Sequence, residues 1–295
     1  MRIGFIGTGT MGTPIAGCLI RAGHTLRVYD RRPEATASLC AQGAERADRA
    51  FAAACDSDVV FTSLPGPAEF EAAMLEPQTG ILAGLQPGTA HIDLTTNAPK
   101  TIARIAEACR TRGVELIDAP VSGRPPSMTA MVGASDAAFA QYRPLFDAIA
   151  ANVFHVGPSG SGATAKLVTQ YLGYTNFIAS IEGMLIAAKA GIDIETLARI
   201  VPVSAGQSRT FDNIARGVFP GTYVAGGTLD IVAKDVDLAV QLARDVGAPA
   251  ALGALASDFY KRAQAAGWGQ LGFPVVARVL EAMAGTTLRP AGGHE

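Results

Sequence analysis

An α/β fold is what the 295-residue sequence predicts: an N-terminal doubly wound, mostly parallel sheet, then an all-α C-terminal domain built on one long helix. Three observations predict it. Short β-rich runs alternate with Ala-rich helical stretches through the first half. A regularly spaced glycine turn closes the first of those runs. After Gly162 the strand pattern stops and a proline-free apolar stretch begins.

The strands come in order. "RIGFIG" (Arg2–Gly7) is an apolar run ending in glycine, and "LRVYD" (Leu26–Asp30) is the second. "DVVFTSL" (Asp58–Leu64), "AHIDLT" (Ala90–Thr95) and "VELIDAP" (Val114–Pro120) follow. Strands separated by helices imply βαβ units and a parallel sheet covered on both faces. "TAMVGA" and "ANVFHVG" add two strands around a helix near Asp136–Ala150. From Ala163 to about Ala190 there is no proline, which gives a helix roughly 40 Å long. Its apolar residues circle the axis, so it should be buried on most sides. "DIETLARIVPVS", "LDIVAKDVDLAVQLARDVG" and "ALGALASDFYKRAQAAG" read as helices, and "LRPAGGHE" as a loose tail. The change of pattern places domains at 1–161 and 162–295.

Composition excludes several classes. The formal charge is −2 with no basic run, which argues against nucleic acid. The N-terminus lacks a signal-peptide pattern, and no uninterrupted apolar run is long enough for a membrane span. Cys18, Cys40, Cys55 and Cys109 show no metal or disulfide spacing, so they read as small buried hydrophobes of a reducing cytoplasm. The four histidines show no pairing that suggests chemistry.

"GFIGTGTMG" carries Gly7, Gly9 and Gly12 as G-x-G-x-x-G, with Thr10 and Met11 inside it. It follows a strand and opens a helix, and a second strand then ends in Asp30. That context is the dinucleotide fingerprint of a Rossmann-type domain. Gly7 permits the turn, Gly9 lets a pyrophosphate approach, and Gly12 allows close helix–strand packing. Asp30 would accept hydrogen bonds from a ribose, favouring NAD, whereas Arg31 or Arg32 would suit the 2′-phosphate of NADP or simply lie in a solvated loop.

With these motifs the sequence resembles the β-hydroxyacid dehydrogenases, relatives of 3-hydroxyisobutyrate dehydrogenase and 6-phosphogluconate dehydrogenase. "SLP" (Ser63–Pro65) and "DLTT" (Asp93–Thr96) resemble cofactor-side loops, implying that Leu64, Pro65 and Thr96 meet the cofactor. "DAPVSG" (Asp118–Gly123) resembles the substrate loop, implying that Ser122 and Gly123 hold a carboxylate. "GSGATAKLVTQ" resembles the catalytic segment, implying that Lys166 is the general acid/base. "KDVDLA" resembles a motif whose lysine, here Lys234, lies near the cofactor; spacing alone reads Lys234 and Asp235 as a surface ion pair at a helix start. The resemblance also implies a homodimer or homotetramer built through the helical domain.

Three departures concern the substrate side. Gln170 stands where the family has Asn, the stretch after Gly123 is short, and Gly272 and Pro274 replace an Asp and a Ser. Arg124, next to the substrate loop, would bind an anion or face solvent.

Chemically, oxidation of an alcohol needs a base at the hydroxyl, and reduction needs the same group as an acid. A lysine on an apolar helix suits both, because desolvation disfavours its charged form. Lys166 and Gln170, four apart, share a helix face. The expectation is NAD(P)-dependent hydride transfer to or from a small 3-hydroxy acid, or reduction of the matching semialdehyde. An imine reductase-like enzyme shares this architecture but places another residue at the lysine position. A non-catalytic dinucleotide-binding module would be free to lose that lysine.

Overall fold

The computed structural model describes residues 1–224 and 226–290. The chain divides into two compact units, Met1–Lys166 and Leu167–Glu295. Strands β1 (Arg2–Ile6), β2 (Thr25–Tyr29), β3 (Glu45–Arg46), β4 (Val59–Thr62), β5 (Ala90–Asp93), β6 (Glu115–Asp118), β7 (Val121–Ser122), β8 (Thr129–Gly133) and β9 (Asn152–Gly157) all lie in the first unit. Its helices are α1 (Gly12–Arg21), α2 (Ala37–Cys40), α3 (Ala50–Ala54), α4 (Pro67–Leu75), α5 (Ile81–Gly84), α6 (Pro99–Arg110) and α7 (Asp136–Ile149).

The sheet has nine strands in the order β3-β2-β1-β4-β5-β6-β8-β7, with β9 on β8. The first six are parallel, β8 is antiparallel to both β6 and β7, and β9 is parallel to β8. Alternation along each strand builds two cores. Phe5, Phe61, Ile92 and Ile117 pack on one face with Ile15 and Leu19 of α1 and Phe146 of α7. Ile6, Val60 and Leu116 pack on the other with Phe70 of α4 and Ile102 of α6. Strands buried on both faces need apolar side chains at most positions, which is why they read as nearly continuous runs.

The helical unit takes up α8 (Ser161–Lys189), which begins in the first unit, and contains α9 (Ile194–Ile200), α10 (Leu229–Asp245), α11 (Ala251–Ala265) and α12 (Ala277–Ala284). Its core gathers Phe177, Ile181, Val232, Val236, Phe259 and Tyr260. Among the described residues no helix is long and apolar enough to cross a membrane, and no acidic, His or Cys cluster could hold a metal.

Three expectations need correction. Within its own chain helix α8 is not buried on most sides, because Val168, Leu172 and Ile186 are exposed. Of the cysteines only Cys109 is buried; the others are half-buried. The start of the tail is not loose: Leu288 is buried, and Arg289 donates to Val218 O at 2.6 Å and to Tyr223 Oη at 2.7 Å. The rest of that tail, 291–295, lies outside the described residues.

Candidate functional site

The order of the sheet reverses at β1, which lies between β2 and β4. Ligands of open α/β sheets bind beyond the carboxyl ends of strands at such a point. The glycine loop leaves β1 there. Gly7 has φ +93°, and a Cβ on it would come within 2.3 Å of Ser63 O. A Cβ on Gly12 would come within 1.8 Å of Gly7 O, so α1 can pack this closely only as glycine. Gly9 is the opposite case, with nothing within 4 Å of its would-be Cβ. Its missing side chain keeps space open instead of relieving a clash inside the fold. Thr10 is exposed, and Met11 precedes α1 without a side-chain hydrogen bond to the helix. The first-turn N–H groups and the positive helix end therefore suit a phosphate. Thr8 Oγ1 is buried beside this loop without a hydrogen-bond partner. An open glycine, an uncapped helix start and an orphan hydroxyl fit a dinucleotide pyrophosphate.

Asp30, at the end of β2, accepts from Thr8 N at 2.9 Å and from Arg32 N at 3.0 Å, one bond on each oxygen. Each oxygen retains a second acceptor direction for a ribose hydroxyl. The Arg32 side chain lies 3.6 Å from Asp30, and Arg31 is exposed.

The other two cofactor-side loops are stapled together. Leu64 N donates to Thr95 Oγ1 at 3.0 Å, and Thr95 N donates to Asp93 Oδ1 at 3.1 Å. Asp93 also accepts from Thr62 Oγ1 at 2.7 Å and Asn97 Nδ2 at 2.8 Å. Leu64 and Thr96 are half-buried and Pro65 is exposed at the rim. Burial pushes the Asp93 carboxyl up to about 6, against the pull of these bonds. Burial also pushes His91 down to about 3, so it is neutral. The Thr62 hydroxyl gives its hydrogen to Asp93 and accepts from His91 Nε2 at 2.9 Å. That leaves His91 Nδ1 buried without a partner, as is Asn97 Oδ1 of the same cluster.

On the substrate side, Ser122 closes the short edge strand β7, half-buried, and Gly123 is exposed with φ +81°. Arg124 is exposed. Four residues before Ser122, Asp118 ends β6 and accepts from Gly160 N and Ala163 N, each at 2.6 Å. Lys166 follows Ala163 by three residues and is only 6% exposed. Burial pushes Asp118 up to about 7, the two N–H bonds oppose it, and the nearby Asp93, its register partner on β5, pushes the same way as burial.

In the helical unit Gln170 donates through Nε2 to Asp235 Oδ2 at 2.6 Å and to Tyr174 Oη at 3.2 Å. Lys234 Nζ donates to Asp235 Oδ1 at 2.6 Å. The expected Lys234–Asp235 pair is thus present, but it is not a surface pair at a helix start. It lies in the second turn of α10, with the Asp235 side chain 2% exposed. Burial, and then Asp235, raises the Tyr174 phenol above its ordinary value. Pro274 is packed in the core, and Gly272 bridges to Thr228.

The structure therefore groups Gly7–Gly12, Asp30, Leu64 and Pro65 at the strand ends around the switch point. It ties the start of α8, the helix that carries Lys166, to β6 through Asp118, and it links Gln170 to Lys234 through Asp235. Asp93, Thr95, Asp118 and Tyr174 carried no assignment from sequence, and Asp235 only that of a surface ion pair. The first three and Asp235 lie inside the quoted motifs, which was their only other signal.

Residues 2–157 match the family model of the NAD-binding domain of 6-phosphogluconate dehydrogenase, and residues 160–280 match that of NADP-dependent 3-hydroxyisobutyrate dehydrogenase. The chain belongs to the β-hydroxyacid dehydrogenase family. Among members of that family, it is 31% identical to 2-(hydroxymethyl)glutarate dehydrogenase of Eubacterium barkeri, over 98% of this chain and 97% of that protein. It is 34% identical to NAD-dependent L-serine dehydrogenase of Pseudomonas aeruginosa, over 95% and 98% respectively. The crystal structure of 3-hydroxyisobutyrate dehydrogenase from Salmonella typhimurium superposes with TM-score 0.85 at 30% identity, covering 95% of this chain and 99% of that one. This β-hydroxyacid dehydrogenase accordingly has the mostly parallel cofactor-binding sheet and the helical second half that the sequence predicted.

Proposed function

We propose that Lys166 moves the proton in the NAD(P)-dependent oxidation of a small 3-hydroxy acid, or in the reduction of the matching semialdehyde. The enzyme is an NAD(P)-dependent oxidoreductase of hydroxy acids, acting on a small-molecule acid. The observation that carries the finer reading is one buried lysine in α8, three residues beyond Ala163, whose backbone N–H donates to the Asp118 carboxylate at the end of β6.

When bound, the nicotinamide supplies hydride exchange at the substrate carbon. The protein's part is orientation and proton transfer. The Ser122 hydroxyl and Gly123 N–H hold the substrate carboxylate. In oxidation, Lys166 Nζ takes the hydroxyl proton as the hydride leaves the same carbon; in reduction it returns a proton to the carbonyl oxygen. Gln170, one turn beyond Lys166 on the same helix face, contacts the substrate through its amide group. Gly7–Gly12 and Asp30 hold the dinucleotide, with NAD as the cofactor and NADP as the alternative, in which case Arg31 or Arg32 pairs with the 2′-phosphate. Leu64, Pro65 and Thr96 meet the cofactor from the loops after β4 and β5. Lys234 is assigned to the cofactor by its motif, and Lys234→Ala should weaken NADH binding. The enzyme works as a cytoplasmic homodimer or homotetramer, with exposed Val168, Leu172 and Ile186 of α8 in the contact.

The test is a screen of small hydroxy acids with NAD and NADP, followed by NADH or NADPH absorbance, alongside Lys166→Met. Removing a general acid/base should lower turnover about 10²- to 10⁴-fold with cofactor binding retained. Near-normal turnover in a folded Lys166→Met enzyme would refute the assignment.

A further inference from the structure

We propose that Asp118 is a positioning residue for this proton transfer: its carboxylate fixes the first turn of α8, and with it Lys166, against the strand end from which Ser122 and Gly123 follow. The proposal rests on Lys166 as the acid/base.

Helix starts are ordinarily satisfied by a neighbouring Ser, Thr, Asn or Asp side chain. Here the acceptor comes from another element of the fold, 42 and 45 residues earlier in the chain. Asp118 spends one oxygen on Gly160 N and the other on Ala163 N, so the first turn is held at two points. A carboxylate held so is also favoured by the positive end of the helix dipole.

The surroundings are cut to admit that carboxylate. A Cβ on Gly133 of β8 would come within 2.4 Å of Asp118 Oδ1. A Cβ on Gly162 would come within 2.9 Å of Asp118 Oδ2 and 2.6 Å of Asp118 O. Both glycines leave room where any other residue would push strand and helix apart. From this clamp the chain runs two ways. Four residues on, at the end of β7, lie the Ser122 hydroxyl and then the Gly123 N–H; about one helical turn beyond Ala163 lies Lys166. Asp118 thereby sets the spacing between the groups that hold the carboxylate and the group that moves the proton. A misplacement of about 1 Å at a reacting group costs up to about 10²-fold in rate.

Asp118→Asn keeps the shape but leaves one acceptor oxygen and turns an NH2 group against a backbone N–H. We expect turnover to fall roughly 10- to 100-fold while the Kd for NADH stays within about twofold. Two further readouts separate positioning from lost folding. The solvent deuterium isotope effect on kcat should rise, because proton transfer becomes slower. Hydrogen exchange at amides 160–166, measured without cofactor, should speed up while exchange in β1 and β4 is unchanged. Asp118→Glu, which keeps the charge but displaces it by one methylene, should behave the same way and serves if the Asn variant does not fold. Turnover within twofold of the parent, or a loss matched by the inactive fraction with an unchanged isotope effect, overturns the proposal. An active Lys166→Met removes both readings; an inactive Lys166→Met with normal Asp118→Asn removes only this one.

Discussion

Asp118 in the α/β unit and Asp235 in the helical unit are both buried, and their oxygens are satisfied by different chemistry. Asp118 takes two backbone N–H groups, from Gly160 and Ala163. Asp235 takes two side chains, the Lys234 ammonium and the Gln170 amide. Backbone donors are fixed once the chain has folded and cannot be removed by changing a side chain. Side-chain donors lose rotamer freedom when they are held, and a substitution can replace them. The first arrangement fixes geometry. The second fixes charge and leaves residue identity free to change, and Gln170, the residue that departs from the family pattern, sits in it.

The largest expected effect tests that contrast. Asp235→Ala removes the acceptor that Lys234 and Gln170 share, at a cost of about 2–3 kcal/mol, less than a fully buried pair because Lys234 keeps some solvent. Replacing the whole set (Lys234→Met, Asp235→Leu, Gln170→Leu) should recover much of the loss, since an apolar substitute for a buried network is tolerated. No such replacement exists for Asp118. Urea unfolding reads both, and a triple variant as unstable as Asp235→Ala would break the distinction.

A second contrast lies within the α/β unit, between Asp93 and His91, which share the Thr62 hydroxyl. Asp93 is raised from 3.8 to about 6 in the fold, so its contribution is complete below pH 3.8 and lost as pH rises through 6. His91 is lowered from 6.5 to about 3, so its contribution is complete above pH 6.5 and lost as pH falls toward 3. Over that window the two oppose each other. Asp93→Asn removes only the first, so the variant should lose stability more steeply than the parent between pH 6.5 and 4. Parallel curves in stepped-pH urea titrations would show that Asp93 is not titrating there.

What could be read in advance divides along sequence distance. Gly7, Gly9 and Gly12 were legible because turn, open approach and close packing are local demands, and each glycine meets its own. The strands were legible because burial on both faces removes polar positions. Asp118 was not legible, because its partners lie 42 and 45 residues away and nothing at Gly160 asks for a carboxylate. The Lys234–Asp235 pair looked like a surface feature, because the Gln170 contact that belongs to it crosses 65 residues. The tail failed for the same reason: "LRP" is too short to show a pattern, yet its Arg289 finds Val218 and Tyr223, 71 and 66 residues earlier.

That tail gives a smaller effect. Arg289 sits half-exposed, with hydrogen bonds to Val218 O and Tyr223 Oη and a 3.3 Å contact to Glu281. Arg289→Met keeps the stem and loses the bonds, leaving the nearly buried Glu281 with only Leu288 N and Tyr223 as partners. A loss of about 1–2 kcal/mol is expected, confined to the helical unit. Hydrogen exchange should show it around 214–224 and not in the strands. An unchanged exchange pattern there would return the tail to the loose segment its composition suggests.

The smallest effect belongs to an ion pair in the α/β unit that resembles Lys234–Asp235 only on paper. Arg2 reaches Asp58 at 3.0 Å, but the two side chains are 65% and 39% exposed. Asp58 lies below its ordinary value first because the Arg2 backbone N–H donates to it, and only then because of the guanidinium. Arg2→Ala keeps that backbone bond, so its cost should be about 0.5 kcal/mol or less. Moderate salt should shrink it further, since exposed charges are screened. Lys234→Met leaves Asp235 buried with one neutral donor, so it should cost several times more and respond little to salt. Measured at low and high ionic strength, the two variants separate burial from proximity. Equal costs and equal salt responses would mean that a distance under 4 Å, not the surroundings of the pair, sets its worth.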